Sequence, residues 1–210
     1  MRITLLAIGT RGDVQPLIAL GAEMQHRGHE VRLVAGDEFE SLVSKTEVEF
    51  VPLGIDMRNA MQQHRDIFLL ADAITDRVRA ACSGKEDAIA ATILGVSCCQ
   101  VARKQGVPFF YIVPMPGLRT RAFPDPLFPP LPFGGAYNAL TYRMSESVLQ
   151  RRYPAGRCLF LEPRPTYLFC YSPIVVPRPD DWPDFAHVTG YWFLDAPEGW
   201  QPPRALVEFL

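Results

Sequence analysis

No block of like charge occurs in this sequence. Its 210 residues carry 21 Lys and Arg against 23 Asp and Glu, a formal net charge of -2, and no basic run of the kind that tracks a phosphate backbone. Nucleic acid is therefore not an expected partner. Cysteine is sparse. The five present, Cys82, Cys98, Cys99, Cys158 and Cys170, show neither a Cys-x-x-Cys spacing nor a Cys/His pattern suited to zinc. They read as reduced structural thiols, and no metal is implied. Long apolar runs are also missing, since none reaches the roughly 18 residues that a membrane-spanning helix needs. The apolar start Ile3 to Ile8 is too short for a signal-peptide core and meets Arg11 and Asp13 at once. The chain reads as cytoplasmic, with any membrane contact peripheral. There is no internal repeat and no low-complexity tract.

What is present is a 48% hydrophobic composition, enough for the core of one α/β domain. Arg2 to Ile8 reads as a strand buried on both faces. Gly9 to Gln15 reads as a polar turn. Pro16 suits the first position of a helix whose buried face carries Leu17, Leu20, Gly21 and Met24, with Gly28 ending it. Val31 to Ala35 is a second strand, Asp37 and Glu40 suggest a capping box for a short helix, and Val48 to Leu53 is a third strand. Such a β-α-β-α-β series implies a parallel sheet with helices on both faces, and a ligand edge at the carboxyl ends of the strands. Met57 to Ala81 reads as mostly helical, Ala88 to Leu94 as containing a strand, Ser97 to Gln105 as a helix closed by Gly106, and Val107 to Val113 as another strand.

Proline then changes the texture of the chain. Eighteen of the twenty prolines lie at or beyond Pro108, most densely from Pro114 to Pro132. That stretch must be a long irregular loop. Its interleaved Phe123, Leu127, Phe128, Leu131 and Phe133 fit an apolar lid or binding wall better than disorder. A helix from Tyr137 to Arg152, strands near Tyr167 to Tyr171 and His187 to Trp192, and a Pro-rich tail from Asp195 to Pro203 follow. Pro202 to Leu210 reads as a proline-started amphipathic helix that stops as it begins, and the expectation is that more chain follows.

Four segments carry a family resemblance: Gly9-Thr10-Arg11-Gly12-Asp13-Val14-Gln15-Pro16; Arg27-Gly28-His29-Glu30-Val31-Arg32; Met115 to Pro124; and Val188-Thr189-Gly190-Tyr191-Trp192-Phe193. In this order they resemble the amino-terminal domain of GT-B glycosyltransferases of the sterol glucosyltransferase and glycopeptide-antibiotic type. The resemblance implies an α/β, Rossmann-like parallel sheet with helices on both faces, the N-terminal half of a GT-B fold. It implies residues 1–194 as an acceptor-binding domain and 195–210 as the start of an interdomain linker. The nucleotide-sugar domain is expected elsewhere, in cis or in trans, because no His-x-Gly-rich donor motif occurs before Leu210. The implied function is an inverting transfer of a hexose from a nucleotide sugar, usually uridine diphosphate-linked, to a hydroxyl of a sterol, lipid or similar apolar acceptor. On this reading the chain alone is an incomplete enzyme. An alternative is a non-catalytic acceptor-binding subunit of a split transferase.

Inverting transfer needs a base to take the acceptor hydroxyl proton as that oxygen attacks the anomeric carbon. The resemblance puts Asp13 in that role; the residue type alone would equally cap the helix expected at Pro16. A carboxylate of ordinary pKa is a weak base for an alcohol, so burial or a nearby charge is expected to raise it. Thr10, Arg11 and Gly12 are candidates for the donor diphosphate, with Arg11 equally open as an interface residue. Met57, Met61, Met115, Phe123 and Phe128 are candidates for the acceptor wall, though each residue type is also ordinary core. Arg119 and Arg121 read as holding the loop through carboxylates, with a donor-facing role the alternative. His26 and His29 flank Gly28 without sharing a helical face, so they do not read as a metal pair. A dinucleotide-dependent oxidoreductase is disfavoured, because Arg11 and Val14 stand where Gly-x-Gly-x-x-Gly needs glycine.

Overall fold

The computed structural model describes residues 1–64, 66–195 and 199–209. Its centre is the first strand, β1 (Arg2–Leu6). Ile3, Leu5 and Ala7 point to one face of the sheet, and Leu6 and Ile8 to the other; both sets are buried. That double burial is why the segment reads as a continuous apolar run rather than an alternating one.

Around β1 the described residues form a seven-stranded sheet in the order β3-β2-β1-β4-β5-β6-β7. The flanking strands are β2 (Glu30–Ala35), β3 (Glu49–Pro52), β4 (Ala88–Ala91), β5 (Phe109–Val113), β6 (Thr166–Phe169) and β7 (Ala186–Val188). Every pairing is parallel. The chain winds outward from β1 to β3, returns, and winds the other way from β4 to β7. The direction therefore reverses between β1 and β4, where a doubly wound sheet opens a crevice at its carboxyl edge.

Helices cover both faces. Helix α1 (Arg11–His26) and the short α2 (Glu40–Val43) pack over the Leu5/Leu33 face; Val14, Leu17 and Ile18 are its buried contacts. Helices α3 (Met57–Gln63), α4 (Ile67–Ala80) and α5 (Cys98–Gln105) cover the Leu6/Val34 face through Leu70, Ile74, Val78 and Ala102. A third cluster, Phe169, Trp182, Tyr171 and Leu118, fills the β5–β7 end, where Phe169 and Trp182 stack with centroids 4.4 Å apart. The long helix α6 (Gly134–Arg152) and the short α7 (Arg204–Phe209) complete the described elements.

Several local expectations need correction. Helix α1 begins at Arg11, not at Pro16, because Thr10 is already its N-cap and the Asp13 and Val14 N–H groups donate to the Thr10 carbonyl at 2.9 and 3.1 Å. Pro16 thus sits inside the helix, within its first turns, where its missing N–H leaves the Gly12 carbonyl without an intrahelical donor. Asp37 and Glu40 form no capping box: Asp37 Oδ1 accepts the Gly54 N–H at 2.8 Å, and Asp37–Phe39 is a 3-10 turn running into α2. The single helix expected over Met57 to Ala81 is two, with Asp66 capping the second by accepting the Phe68 N–H at 2.9 Å. The last strand is Ala186–Val188 rather than His187 to Trp192; Trp192 and Leu194 instead pack on the α1-side core. Part of the Pro-rich tail, 196–198, and Leu210 of the final helix lie outside the described residues.

Candidate active site

The carboxyl edge at the β1/β4 reversal is built on backbone hydrogen bonding. Thr92, one residue past β4, is buried, and its Oγ1 both accepts the Ile8 N–H at 3.1 Å and donates to the Ile8 carbonyl at 2.8 Å. Both polar groups of the last apolar residue of the β1 run are thereby satisfied inside the core, which fixes the direction in which Gly9 leaves the sheet. Gly9 has φ +146, a conformation that side chains other than hydrogen rarely tolerate.

Asp13 projects back over this turn from the first turn of α1. Its Oδ2 accepts the Thr10 N–H at 2.8 Å and the Thr10 hydroxyl at 3.1 Å. Its Oδ1 accepts no hydrogen bond among the described residues. Burial pushes the Asp13 pKa above its ordinary 3.8, against the lowering pull of the two Thr10 donors. The expected upward shift is therefore present, and desolvation is its cause. The same negative charge contributes to raising Cys170, held at about 11 mainly by its own burial. The geometry also revises the capping alternative: Asp13 occupies the third helical position and reaches back to the N-cap, so it supports the helix start and still offers one oxygen outward.

Thr10, Arg11 and Gly12 are exposed on this edge. Gly9 and Thr10 line an open groove of about 300 Å³ together with Arg11, Glu38, Phe39, Arg58 and Met61. A second groove of about 390 Å³ lies between Arg11, Gly12 and Pro16 on one side and Tyr191 to Phe193 on the other. Arg11 stands between them, its Nε donating to Gln15 Oε1 at 2.9 Å. Glu38 is held in place because its carboxylate accepts the N–H groups of Met57 and Arg58 at 3.1 and 3.0 Å. This works only because Gly36 has no side chain: a Cβ there would lie 2.4 Å from Glu38 Oε2 and 2.9 Å from Met57 Cγ.

The five wall candidates are not brought together. Met57 has 0% exposure and packs with Leu6, Ile8 and Val34, so it is core rather than wall. Met61 reaches the Gly9–Arg11 groove. Phe123 packs on the β5–β7 cluster; Met115, exposed, and Phe128, half-buried, lie in the loop after β5. That loop is irregular, as expected, and is fastened by polar contacts. Thr120 Oγ1 and the Arg121 N–H donate to the two oxygens of Asp181 at 2.5 and 2.7 Å, Thr141 Oγ1 accepts the Asp125 N–H at 2.9 Å, and Asn138 Nδ2 donates to the Arg121 carbonyl at 2.9 Å. Arg119 pairs with Glu146 at 3.8 Å. Thr92, Glu38 and Asp181 were not singled out by the sequence. Thr92 carries a legible signal, since it ends the apolar run of the strand beside the reversal; Asp181, in a proline-rich segment, carries none.

Among the described residues no group of three or more His, Cys, Asp or Glu side chains is placed to hold a metal, and no helix is long and apolar enough to cross a membrane.

The doubly wound parallel sheet is Rossmann-like, and its likeness to solved structures gives the class: the N-terminal half of a GT-B fold. Two solved structures share that fold, the glycotransferase of kitacinnamycin (TM-score 0.60, 21% identity, 97% of this chain and 55% of that one) and the calicheamicin glycosyltransferase CalG4 (TM-score 0.57, 16% identity, 97% and 56%). Within the class, the chain belongs to the glycosyltransferase family 28 N-terminal domain, which it matches over residues 3–124. It is similar over its whole length to the sterol 3-beta-glucosyltransferases of Neurospora crassa, at 33% identity, and Emericella nidulans, at 34%. The chain spans only 16% and 17% of the length of those two relatives.

Proposed function

We propose that this chain is the acceptor-binding half of an inverting glycosyltransferase, which moves a hexose from a uridine diphosphate sugar to the hydroxyl of a sterol or similar apolar lipid. The observation that carries the proposal is the Asp13 carboxylate: raised by burial, tied by one oxygen to Thr10, and open at the other. Oδ1 would take the acceptor proton as the hydroxyl oxygen attacks the anomeric carbon. The bond from that carbon to the diphosphate oxygen breaks on the opposite face, and the configuration inverts. Base assistance of this kind contributes roughly 10²–10⁴-fold in rate.

Thr10, Arg11 and Gly12 are assigned to the donor side. Their exposure on the crevice edge supports this, and the Arg11 guanidinium suits a diphosphate oxygen. Of the wall candidates, Met61, which lines the Gly9–Arg11 groove, is assigned to the apolar acceptor. A sterol is favoured over other acceptors because the curated relatives matched along the full chain are sterol 3-beta-glucosyltransferases. The nucleotide-sugar domain is supplied in cis or in trans, with residues 1–194 forming the acceptor domain and the segment from 195 leading away from it.

The test is transfer of labelled glucose from UDP-glucose to a panel of sterols. It compares the 210-residue chain with a hybrid in which the chain replaces the segment that it matches in the Neurospora crassa relative. Transfer by the hybrid and none by the chain alone is expected. A hybrid that folds, binds UDP-glucose and transfers to no sterol or lipid would contradict the assignment.

A further inference from the structure

All five cysteines are free thiols, and four of them gather where the end of α4 meets the start of α5. Cys82 follows Ala81, the C-cap of α4; Cys98 and Cys99 open α5; and Cys158 lies in the 3-10 turn Pro154–Phe160 after α6. Adjacent residues stand about 100° apart around a helix. Cys98 and Cys99 therefore face different partners, Cys98 meeting Cys82 and Cys99 meeting Cys158.

The first pair is in close contact. The Cys82 and Cys98 sulfurs lie 3.0 Å apart, from residues separated by 16 positions in the chain. That is inside the roughly 3.5–4.0 Å at which carbon atoms, which are smaller, rest against one another. A disulfide bond is about 2.05 Å long, so a further approach of about 1 Å joins the two sulfurs. The Cys82 side can take up that approach, since exposed Ser83, Gly84 and Lys85 follow it in the turn that leads to β4.

The two thiols are not equivalent. Cys98 is wholly buried, and its Sγ donates to the Val78 carbonyl at 3.2 Å. The neighbouring Cys82 sulfur, and then burial, hold the Cys98 thiol far above its ordinary range, against the opposing pull of Arg79. Cys98 thus keeps its proton. Cys82 is the only one of the five that is not buried, so it is the sulfur that a small oxidant reaches from solvent. An accessible thiol poised against a protonated, buried one is the arrangement of an attacking and a resolving cysteine.

We propose that Cys82 and Cys98 form a redox-active dithiol, which a hydroperoxide closes to a disulfide. The Cys82 sulfur, as thiolate, attacks a peroxide oxygen and the O–O bond breaks. The other oxygen leaves as water after taking up the proton that the thiol gave up, and Cys82 becomes a sulfenic acid. The Cys98 sulfur then attacks the Cys82 sulfur, the S–O bond breaks, and the hydroxyl departs as water with the Cys98 proton. Two thiols lose two electrons, and the peroxide gains them. The bridge ties α4 to α5 and encloses β4 and Thr92 in one covalent loop, the strand and the side chain that hold the carboxyl end of the β1 run. The inference goes beyond the proposed transfer reaction and stands without it.

The test exposes the reduced full chain to hydrogen peroxide at a dose that fully oxidises free cysteine. Remaining thiols are counted by alkylation, and linked peptides are mapped by mass spectrometry without reduction. Two of the five thiols should be lost, with Cys82 and Cys98 joined in one peptide pair, and both should return with dithiothreitol. The oxidised chain should unfold at a higher urea concentration than the reduced one, because the bridge restricts the unfolded state. Cys82→Ser, a near-isosteric change at a half-buried position, should keep its remaining thiols under the same treatment, and Cys98→Ser should stop at a Cys82 sulfenic acid that dimedone traps. Wild type that keeps all of its thiols overturns the proposal, as does a bridge between Cys99 and Cys158 or between two chains. A Cys82–Cys98 bridge that leaves the urea midpoint no higher than in the reduced chain would also overturn it, since the closed loop would then be no part of the native packing.

Discussion

The Asp13 carboxylate rests against the backbone of Gly9 so closely that a Cβ on Gly9 would lie 2.3 Å from Asp13 Oδ2. The turn after β1 thus exists in its present form only because residue 9 is glycine. Gly9→Ala must either expel the Asp13 side chain or distort a backbone with φ +146. It should cost about 1–3 kcal/mol in a urea melt and lower transfer by the sterol-transferring hybrid by about 100-fold through misplacement of Asp13. Wild-type stability and rate in this variant would show that the contact is not needed.

Thr92 is expected to act through Ile8. Replacing it with the near-isosteric valine leaves a buried N–H without an acceptor, at a cost of about 1–3 kcal/mol. Thr92→Ser, which keeps the oxygen, should recover most of that loss. If valine and serine behave alike in denaturant melts, packing rather than hydrogen bonding is what Thr92 supplies.

The upward shift of Asp13 has a consequence for stability. The folded state holds the proton more tightly than the unfolded chain, so the stabilising contribution is complete below the ordinary value of 3.8 and is lost as pH rises through the higher folded value. Asp13→Asn does not titrate. Its urea midpoint should therefore improve relative to wild type between acid and neutral pH, whereas a constant difference would mean that burial leaves the carboxyl unshifted.

Glu86, at the opposite edge of the sheet, has the contrary sign. Burial raises it, but the donors around it outweigh burial, among them the Ser83 hydroxyl at 2.8 Å and the Gly84 N–H at 2.9 Å, so its pKa ends below 4.5. Its stabilisation is present above that ordinary value and lost as pH falls through the folded one. Glu86→Ala, which leaves Arg32 with Glu49 as its remaining carboxylate partner, should cost about 1–3 kcal/mol at neutral pH. The difference from wild type should shrink in acid; a difference independent of pH would refute the ionic role.

The parallel sheet was legible because β1 and β4 are buried on both faces and alternate with helical segments closed by Gly28 and Gly106. Asp13 was legible through the resemblance of its surrounding octapeptide, but its geometry was not. Thr10 and Asp13 start the helix five residues before Pro16, and proline's preference for the first helical position pointed the other way. The wall residues were the least legible. Whether a methionine lines a groove or fills a core depends on which helix crosses which strand: Met57 is wholly core, whereas Met61, one turn on, packs on the same core and also reaches the groove.

The central claim is that Asp13 is the base of a glycosyl transfer. It is tested most directly by the single-turnover rate of glucose transfer to sterol in the hybrid enzyme carrying Asp13→Asn, with UDP-glucose and sterol binding measured alongside. The account predicts that both ligands bind as in wild type while the rate falls by roughly 10²–10⁴-fold. A variant that transfers at the wild-type rate would remove Asp13 from the chemistry and leave it only its place in the helix cap.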